Sequence, residues 1–318
     1  MEIVLCGDEK ILPGLHVATF SLLSSIKQKI SKPKFTIFSS TIKEADLCSV
    51  RETLSATGKK FEINIRRVNV SGIKNMPKLN NSLATYYRLL AVQEMSVERF
   101  LYIDVDTLCD LDVTPLWSLE MEKYPVAWVA EAPLHKSVDR AVAGQLSSSK
   151  KSDYYNAGVQ LINVKNWMQQ KISEKAIAYL QKYKPEFHDQ SALNYVLHEN
   201  CLPLDPKYNC LANMRKNWPY LIHPLGEINR IIHFINYPKP WDLFGEIVCP
   251  QYSLWRSVLN QTSLAGFSSL NKIHEIKSFR EPKMRSQYFK SLKDKILFLG
   301  YKKGVFRKIK GIQAENLG

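Results

Sequence analysis

The chain predicts an α/β fold, a mainly parallel sheet flanked by helices, followed by a basic helical C-terminal extension. Three observations predict it. Short apolar runs alternate with segments of helical spacing through the first half of the chain. With 318 residues, 45% of them hydrophobic, the chain is long enough to bury one large core. The clear composition shift falls near residues 260–270, where Gln261-Thr-Ser-Leu-Ala-Gly266-Phe-Ser-Ser precedes a lysine-rich tail. We therefore expect one domain over residues 1–265 and a separate basic segment over 266–318.

The elements follow in order. Glu2 to Cys6 is a buried strand ending at Gly7-Asp8, and residues 15–29 carry Leu15, Ala18, Leu22 and Ile26 at helical spacing. Lys34 to Ser39 reads as a second strand, 43–57 as a helix closed by Gly58, and Glu62 to Val68 as a third strand. Asn81 to Glu94 is a helix feeding a strand over 99–104. Val126 to Ala130 and Gly158 to Val164 are later strands, and 166–183 and 189–198 are helices. A parallel sheet built this way places Asp8 and the end of the 99–104 strand along one carboxyl edge, where such folds bind ligands.

Bulk properties narrow the class. Six cysteines are widely scattered, with no Cys-x-x-Cys pair, which argues for reduced thiols and a cytoplasmic location. The N-terminus lacks the basic region of a signal peptide, and no run reaches the roughly eighteen apolar residues of a membrane span. The formal charge of +14 is concentrated in the tail: residues 266–318 hold thirteen Lys or Arg against four Asp or Glu.

The run Arg99-Phe-Leu-Tyr-Ile-Asp104-Val-Asp106 delivers two carboxylates to a strand end. On an extended strand they point to the same side, where hard oxygen ligands suit Mg2+ or Mn2+, and such a cation suits a diphosphate. Alone, the same acids also suit turns and helix caps.

Several further segments occur in register: Gly7-Asp8, Leu83-Ala-Thr-Tyr-Tyr-Arg88-Leu, Thr114-Pro-Leu-Trp117, Tyr155-Asn156-Ala-Gly158-Val, Asp189-Gln190-Ser-Ala-Leu-Asn194, and Ile232-His233-Phe-Ile-Asn-Tyr-Pro-Lys239-Pro-Trp241. Together with Asp104-Val-Asp106 they resemble glycosyltransferase family 8 over roughly residues 1–245. These are retaining enzymes of GT-A fold, a Rossmann-like sheet, and they include bacterial lipopolysaccharide galactosyl- and glucosyltransferases. The resemblance implies transfer of a hexose from UDP-galactose or UDP-glucose, with Mn2+ (or Mg2+), to a saccharide hydroxyl, expected to be lipopolysaccharide or lipooligosaccharide core.

It also implies roles. Asp104, Asp106 and His233 would hold the metal, a set that suits a neutral imidazole beside carboxylates. Lys239 would face a diphosphate oxygen, Asp8 the uracil, Arg88 the nucleotide or its phosphates, and Asn156 the sugar hydroxyls. Asp189 would bond the hexose, and Gln190 would lie near the anomeric carbon. The residues leave other readings open: a core histidine at 233, a solvated Lys239 or Arg88, a cap or turn at Asp8 and Asn156, and a helix N-terminus at Asp189. Ser191 stands where family members often carry a second aspartate, and Asn236 where close relatives place a small residue. A glutamine amide is a poor nucleophile, so the expected route is same-face internal return, with a donor phosphate oxygen taking the acceptor proton.

In the tail, Tyr288, Phe289, Leu292, Ile296 and Leu299 form an apolar stripe bordered by Lys290, Lys293 and Lys295. Such a helix suits the anionic inner face of the cytoplasmic membrane, or packing on its own domain. A nucleotidyltransferase would want a Gly-rich phosphate loop that Gly7-Asp8-Glu9-Lys10 does not supply. A basic nucleic-acid-binding protein would want a recognised motif, and no nucleic-acid partner is expected. A self-glycosylating protein, or a hexosyltransferase of another glycan, is compatible with the same motifs.

Overall fold

A computed structural model describes residues 1–27, 32–79, 82–146, 152–212, 228–235, 238–242, 245 and 252–269. The tail helix expected over 288–299 and Asn236 lie outside the described residues.

The strands are β1 (Glu2–Cys6), β2 (Lys34–Ser39), β3 (Glu62–Arg67), β4 (Arg99–Ile103), β5 (Thr107–Cys109), β6 (Val126–Pro133), β7 (Asp153–Asn163), β8 (Leu202–Pro203), β9 (Cys210–Leu211) and β10 (Ile231–His233). The main sheet has the order β3-β2-β1-β4-β7-β6-β8. The β3-β2-β1-β4 half is parallel throughout, whereas β7 runs antiparallel to both β4 and β6. A small second sheet, β5-β10-β9, stands beside it.

The helices are α1 (Leu12–Ser25), α2 (Glu44–Ser55), α3 (Tyr87–Glu94), α4 (Thr114–Trp117), α5 (Arg140–Gln145), α6 (Val164–Gln169), α7 (Ile172–Tyr183), α8 (His188–Leu197) and α9 (Tyr252–Leu259). Three differ from the sequence expectation. Helix α1 starts earlier, because Pro13 sits in its first turn with φ already suited to a helix. The helix expected over 166–183 breaks at Lys171, which takes a left-handed φ of 54°. The helix expected from Asn81 is a 3-10 turn over Ala84–Tyr86 that becomes regular only at Tyr87.

The core forms on both faces of the sheet. Tyr86, Leu89, Trp128, Ile162 and Leu193 pack one face, and Leu5, Leu15, Ile37, Val50 and Leu161 the other. Helix α1 is buried nearly all round, since a third cluster with Phe234, Trp241 and Trp255 covers its outer side. Gly14 makes that possible: a Cβ there would stand 2.5 Å from the Trp241 ring and 2.8 Å from the Val105 carbonyl. No helix among the described residues is long and apolar enough to cross a membrane.

Candidate active site

Asp104 and Asp106 do converge, but not by the strand geometry expected of them. β4 ends at Ile103, and Asp104-Val105-Asp106 is a turn into β5. Val105 is buried on the core side, while the Thr107 hydroxyl donates to the Asp104 carbonyl at 2.8 Å and closes the turn. β5 then pairs with β10 so that Thr107 lies opposite His233. The His233 Nε2 consequently stands 3.1 Å from Asp106 Oδ1 and 3.7 Å from Asp104 Oδ2.

One ligand atom from each of Asp104, Asp106 and His233 falls within 4.8 Å of the others. Two carboxylate oxygens and an imidazole nitrogen at that spacing fit a divalent cation of the Mg2+ or Mn2+ class. Gly158 leaves the room: a Cβ on it would lie 2.2 Å from His233 Cε1 and 3.0 Å from Asp104 Oδ2. The close approach arises because β7 bulges at this point. Its pairing with β6 jumps from Trp128↔Gln160 to Val129↔Asn156, which turns residues 157–159 toward β4, and Gly158 accepts a hydrogen bond from Asp104 N at 2.8 Å.

The charges here are arranged unequally. Lys239, 8% exposed, donates to Asp106 Oδ2 at 2.5 Å and to the Phe234 carbonyl at 2.7 Å. Burial alone would raise the Asp106 pKa, but the Lys239 ammonium and His233 overcome it and hold the carboxyl far below the usual range. Burial dominates at Asp104 and raises its pKa, against the pull of Arg88.

Arg88, buried at 6% exposure rather than solvated, is the hub behind this pair. Its Nη2 donates to Asp104 Oδ1 at 2.9 Å, its Nη1 donates to the Ala157 carbonyl, and its guanidinium lies 4.2 Å over the Tyr102 ring. Its Nε stands 2.7 Å from Asp189 Oδ2, an ion pair outside hydrogen-bond geometry. Asp189, in the first turn of α8, also accepts from the Thr85 hydroxyl. Gln190, the next residue, accepts from Ala157 N at 3.1 Å through Oε1, while its Nε2 faces Glu131 Oε2 at 3.4 Å and Tyr154 Oη at 3.3 Å. Asn194 clamps α8 to β7 by bonding both backbone groups of Tyr155, at 2.7 and 2.8 Å.

Asn156 lies within β7 rather than at its start, 6% exposed, because the strand begins five residues earlier than its apolar pattern suggests. Its Oδ1 accepts from Gly158 N at 2.9 Å and Asn209 Nδ2 at 2.8 Å. Asn209 in turn meets His233 Nδ1 through Oδ1 at 3.0 Å. A backbone N–H only donates, so the whole sequence of partners is fixed from Gly158 outward. It makes His233 Nδ1 a donor, so a neutral ring presents its Nε2 lone pair to the point between the carboxylates. Asp8 sits at the end of β1, whose register with β4 brings it to the same edge, and its Oδ1 caps a 3-10 turn at Lys10 N.

The sequence assigns no role to Asn209, Tyr102, Thr85, Tyr154 or Glu131, although Thr85 and Tyr102 lie inside the segments named above. Tyr154 adjoins a selected motif, and Tyr102 precedes Asp104 by two, so strand alternation was an available signal for it. Asn209 sits in a two-strand connection with no periodicity to mark it.

Three comparisons bear on this arrangement. The chain is 27% identical over 260 residues to general stress protein A of Bacillus subtilis, covering 76% of this chain and 87% of that protein. It is 26% identical over 274 residues to an Escherichia coli lipopolysaccharide 1,2-glucosyltransferase, covering 79% of this chain and 78% of that one. The fold matches the crystal structure of the galactosyltransferase LgtC, in complex with donor and acceptor sugar analogs, at a TM-score of 0.68 and 22% identity. That match spans 82% of this chain and 96% of LgtC. The GT-A architecture expected from the motifs is therefore the one present. The profile of glycosyl transferase family 8 matches residues 2–244, so the paired carboxylates, the buried arginine and the Asp189-Gln190 turn belong to a glycosyltransferase, and the chain is a member of that family.

Proposed function

We propose that this glycosyltransferase moves galactose or glucose from a UDP-hexose to a saccharide hydroxyl with retention of anomeric configuration and dependence on Mn2+. The observation that carries the reading is the convergence of Asp104, Asp106 and His233 on one point beside the Lys239 ammonium. Among the described residues, three carboxylates (Asp104, Asp106 and Asp189) are ion-paired with two fixed cations (Arg88 and Lys239). A divalent cation held by Asp104, Asp106 and His233 reverses that excess and supplies charge neutralisation for a diphosphate leaving group.

The chain's own residues do the rest. Asp8 accepts from the uracil, Lys239 meets a diphosphate oxygen, and Arg88 holds Asp104 and Asp189 in place while its charge faces the nucleotide. Asp189 and Asn156 bind sugar hydroxyls. Gln190 stands at the anomeric centre as a hydrogen-bond donor, because its only nucleophilic atom, Oε1, is engaged by Ala157 N–H. That orientation favours same-face return over a glycosyl-Gln190 intermediate, and a Gln190 adduct trapped and seen by mass spectrometry would overturn this part. An acceptor of lipopolysaccharide-core type is supported by the named activity of the E. coli relative. The basic tail, with a net charge of +9 over residues 266–318, suits attachment to an anionic cytoplasmic membrane face. Loss of liposome binding on deleting that tail is the expected result.

The deciding experiment is thermal shift and hydrolysis with a panel of UDP-sugars, with and without Mn2+, on wild type and Asp106→Asn. Metal-dependent stabilisation by one UDP-hexose, lost in the variant, is expected and names the donor. No response to any nucleotide sugar would overturn the reading.

A further inference from the structure

Asp139 is a buried carboxylate, 2% exposed, that the chemistry above does not use. It lies between β6 and β7 and its partners among the described residues are all neutral. Oδ1 caps α5 at Val142 N, at 3.2 Å, while Oδ2 accepts from the Ser191 hydroxyl at 2.5 Å and the Tyr154 hydroxyl at 3.1 Å. Burying a carboxylate against neutral groups is costly. Two of those groups lead directly to Gln190: Ser191 follows it in α8, and Tyr154 Oη receives its Nε2.

We propose that Asp139 is a positioning residue that sets the orientation of the Gln190 amide through the Tyr154 hydroxyl. The inference rests on the reading of Gln190 as the group beside the anomeric carbon. Both ends of the relay impose the same direction. At one end Ala157 N–H only donates, so the oxygen of the Gln190 amide must face it, at 3.1 Å. At the other end a carboxylate only accepts, so the Tyr154 hydrogen points to Asp139 and its lone pair is left for Gln190 Nε2, at 3.3 Å. Burial and the nearby Asp139 charge push the Tyr154 phenol far above its ordinary range, so it stays a donor. Ser191 anchors Oδ2 from the same helix turn that carries Gln190. An amide between a donor at one side and an acceptor at the other has one stable rotamer sense, with its N–H edge toward Glu131 and the sugar side.

The test measures Mn2+-dependent hydrolysis of UDP-galactose and UDP-glucose by wild type, Q190A, Y154F and Y154F/Q190A. D139S and D139S/S191D, which moves the acid across the same hydrogen bond, complete the set. Y154F keeps the α5 cap and the Asp139–Ser191 bond, so it isolates the relay. Its expected effect is about a 5- to 10-fold fall in kcat, the worth of one hydrogen bond, with KM for the donor unchanged. The double variant Y154F/Q190A should be no slower than Q190A, and D139S/S191D should recover most of the kcat lost in D139S. Additive losses in Y154F/Q190A, a Y154F effect on KM alone, or a Y154F enzyme as fast as wild type would overturn the proposal, even if the D139S variants do not fold. If Q190A itself turns over normally, or wild type hydrolyses neither donor, the reading of the site fails instead, which is a separate result.

Discussion

At the end of β4, Asp104 and Asp106 share their burial with Arg88, Lys239 and His233; at the start of α8, Asp139 is buried against Ser191, Tyr154 and a backbone amide. The first corner balances charge with charge and leaves an excess that a cation reverses. The second has no described cation and uses the directionality of hydrogen bonds instead. The contrast suits the two proposed tasks: the first would accept a metal and a diphosphate, whose charges are large, and the second would hold one neutral amide in one orientation.

The largest disturbance should come from removing charge in the first corner. Asp106→Asn removes a proposed metal ligand and strands Lys239, so Mn2+ affinity measured by the free-ion EPR signal should fall by more than about 100-fold, beyond the 10- to 100-fold typical of residues behind the ligands. Little change would mean that Asp106 serves Lys239 alone. Gly158→Ala tests the same corner without touching charge. Its Cβ would meet His233 at 2.2 Å, so the ring or the β7 bulge must move. We expect about a 100-fold loss of Mn2+ affinity with the fold retained, and unaltered affinity would show that the bulge can yield.

These two variants also divide what was legible in the sequence from what was not. The strand ends, the parallel half-sheet and the Asp104/Asp106 pair follow from apolar runs that stop at acids, and local physics is enough to read them. The antiparallel β7, its bulge and the need for glycine at 158 are tertiary facts. At the bulge the Gly158 carbonyl meets Asp104 N while a Cβ on the same residue would meet the His233 ring and Asp104 Oδ2, and nothing in the local pattern records those distant partners. Even the pairing of Asp104 with Asp106, expected from an extended strand, is made by a turn instead. Likewise Lys239 and Arg88, each open to a solvated reading, are buried because carboxylates distant in sequence meet them.

A smaller effect should follow from Asn209→Ala. This residue bonds no ligand itself, yet it fixes the His233 tautomer from behind. About a tenfold loss of Mn2+ affinity is expected, with the 15N shifts of His233 moving toward a mixture of tautomers. If the shifts stay those of the Nδ1-protonated form, another group orients the ring.

The smallest effect sharpens the comparison by using a buried histidine outside both corners. His16, in α1, bonds Thr53 at 2.6 Å, and burial pushes its pKa down from 6.5 to about 4, with the distant Asp46 too weak to reverse this. A folded pKa below the unfolded one means that the unfolded chain takes up the proton first. Stability is then complete above pH 6.5 and declines as pH falls toward 4. Between pH 7 and pH 6 the cost is about 0.7 kcal/mol from the two pKa values. His16→Gln keeps a partner for Thr53 but has no proton to gain, so urea denaturation at the two pH values should show a smaller decline in the variant by that amount. Parallel declines would mean that burial at α1 does not govern His16.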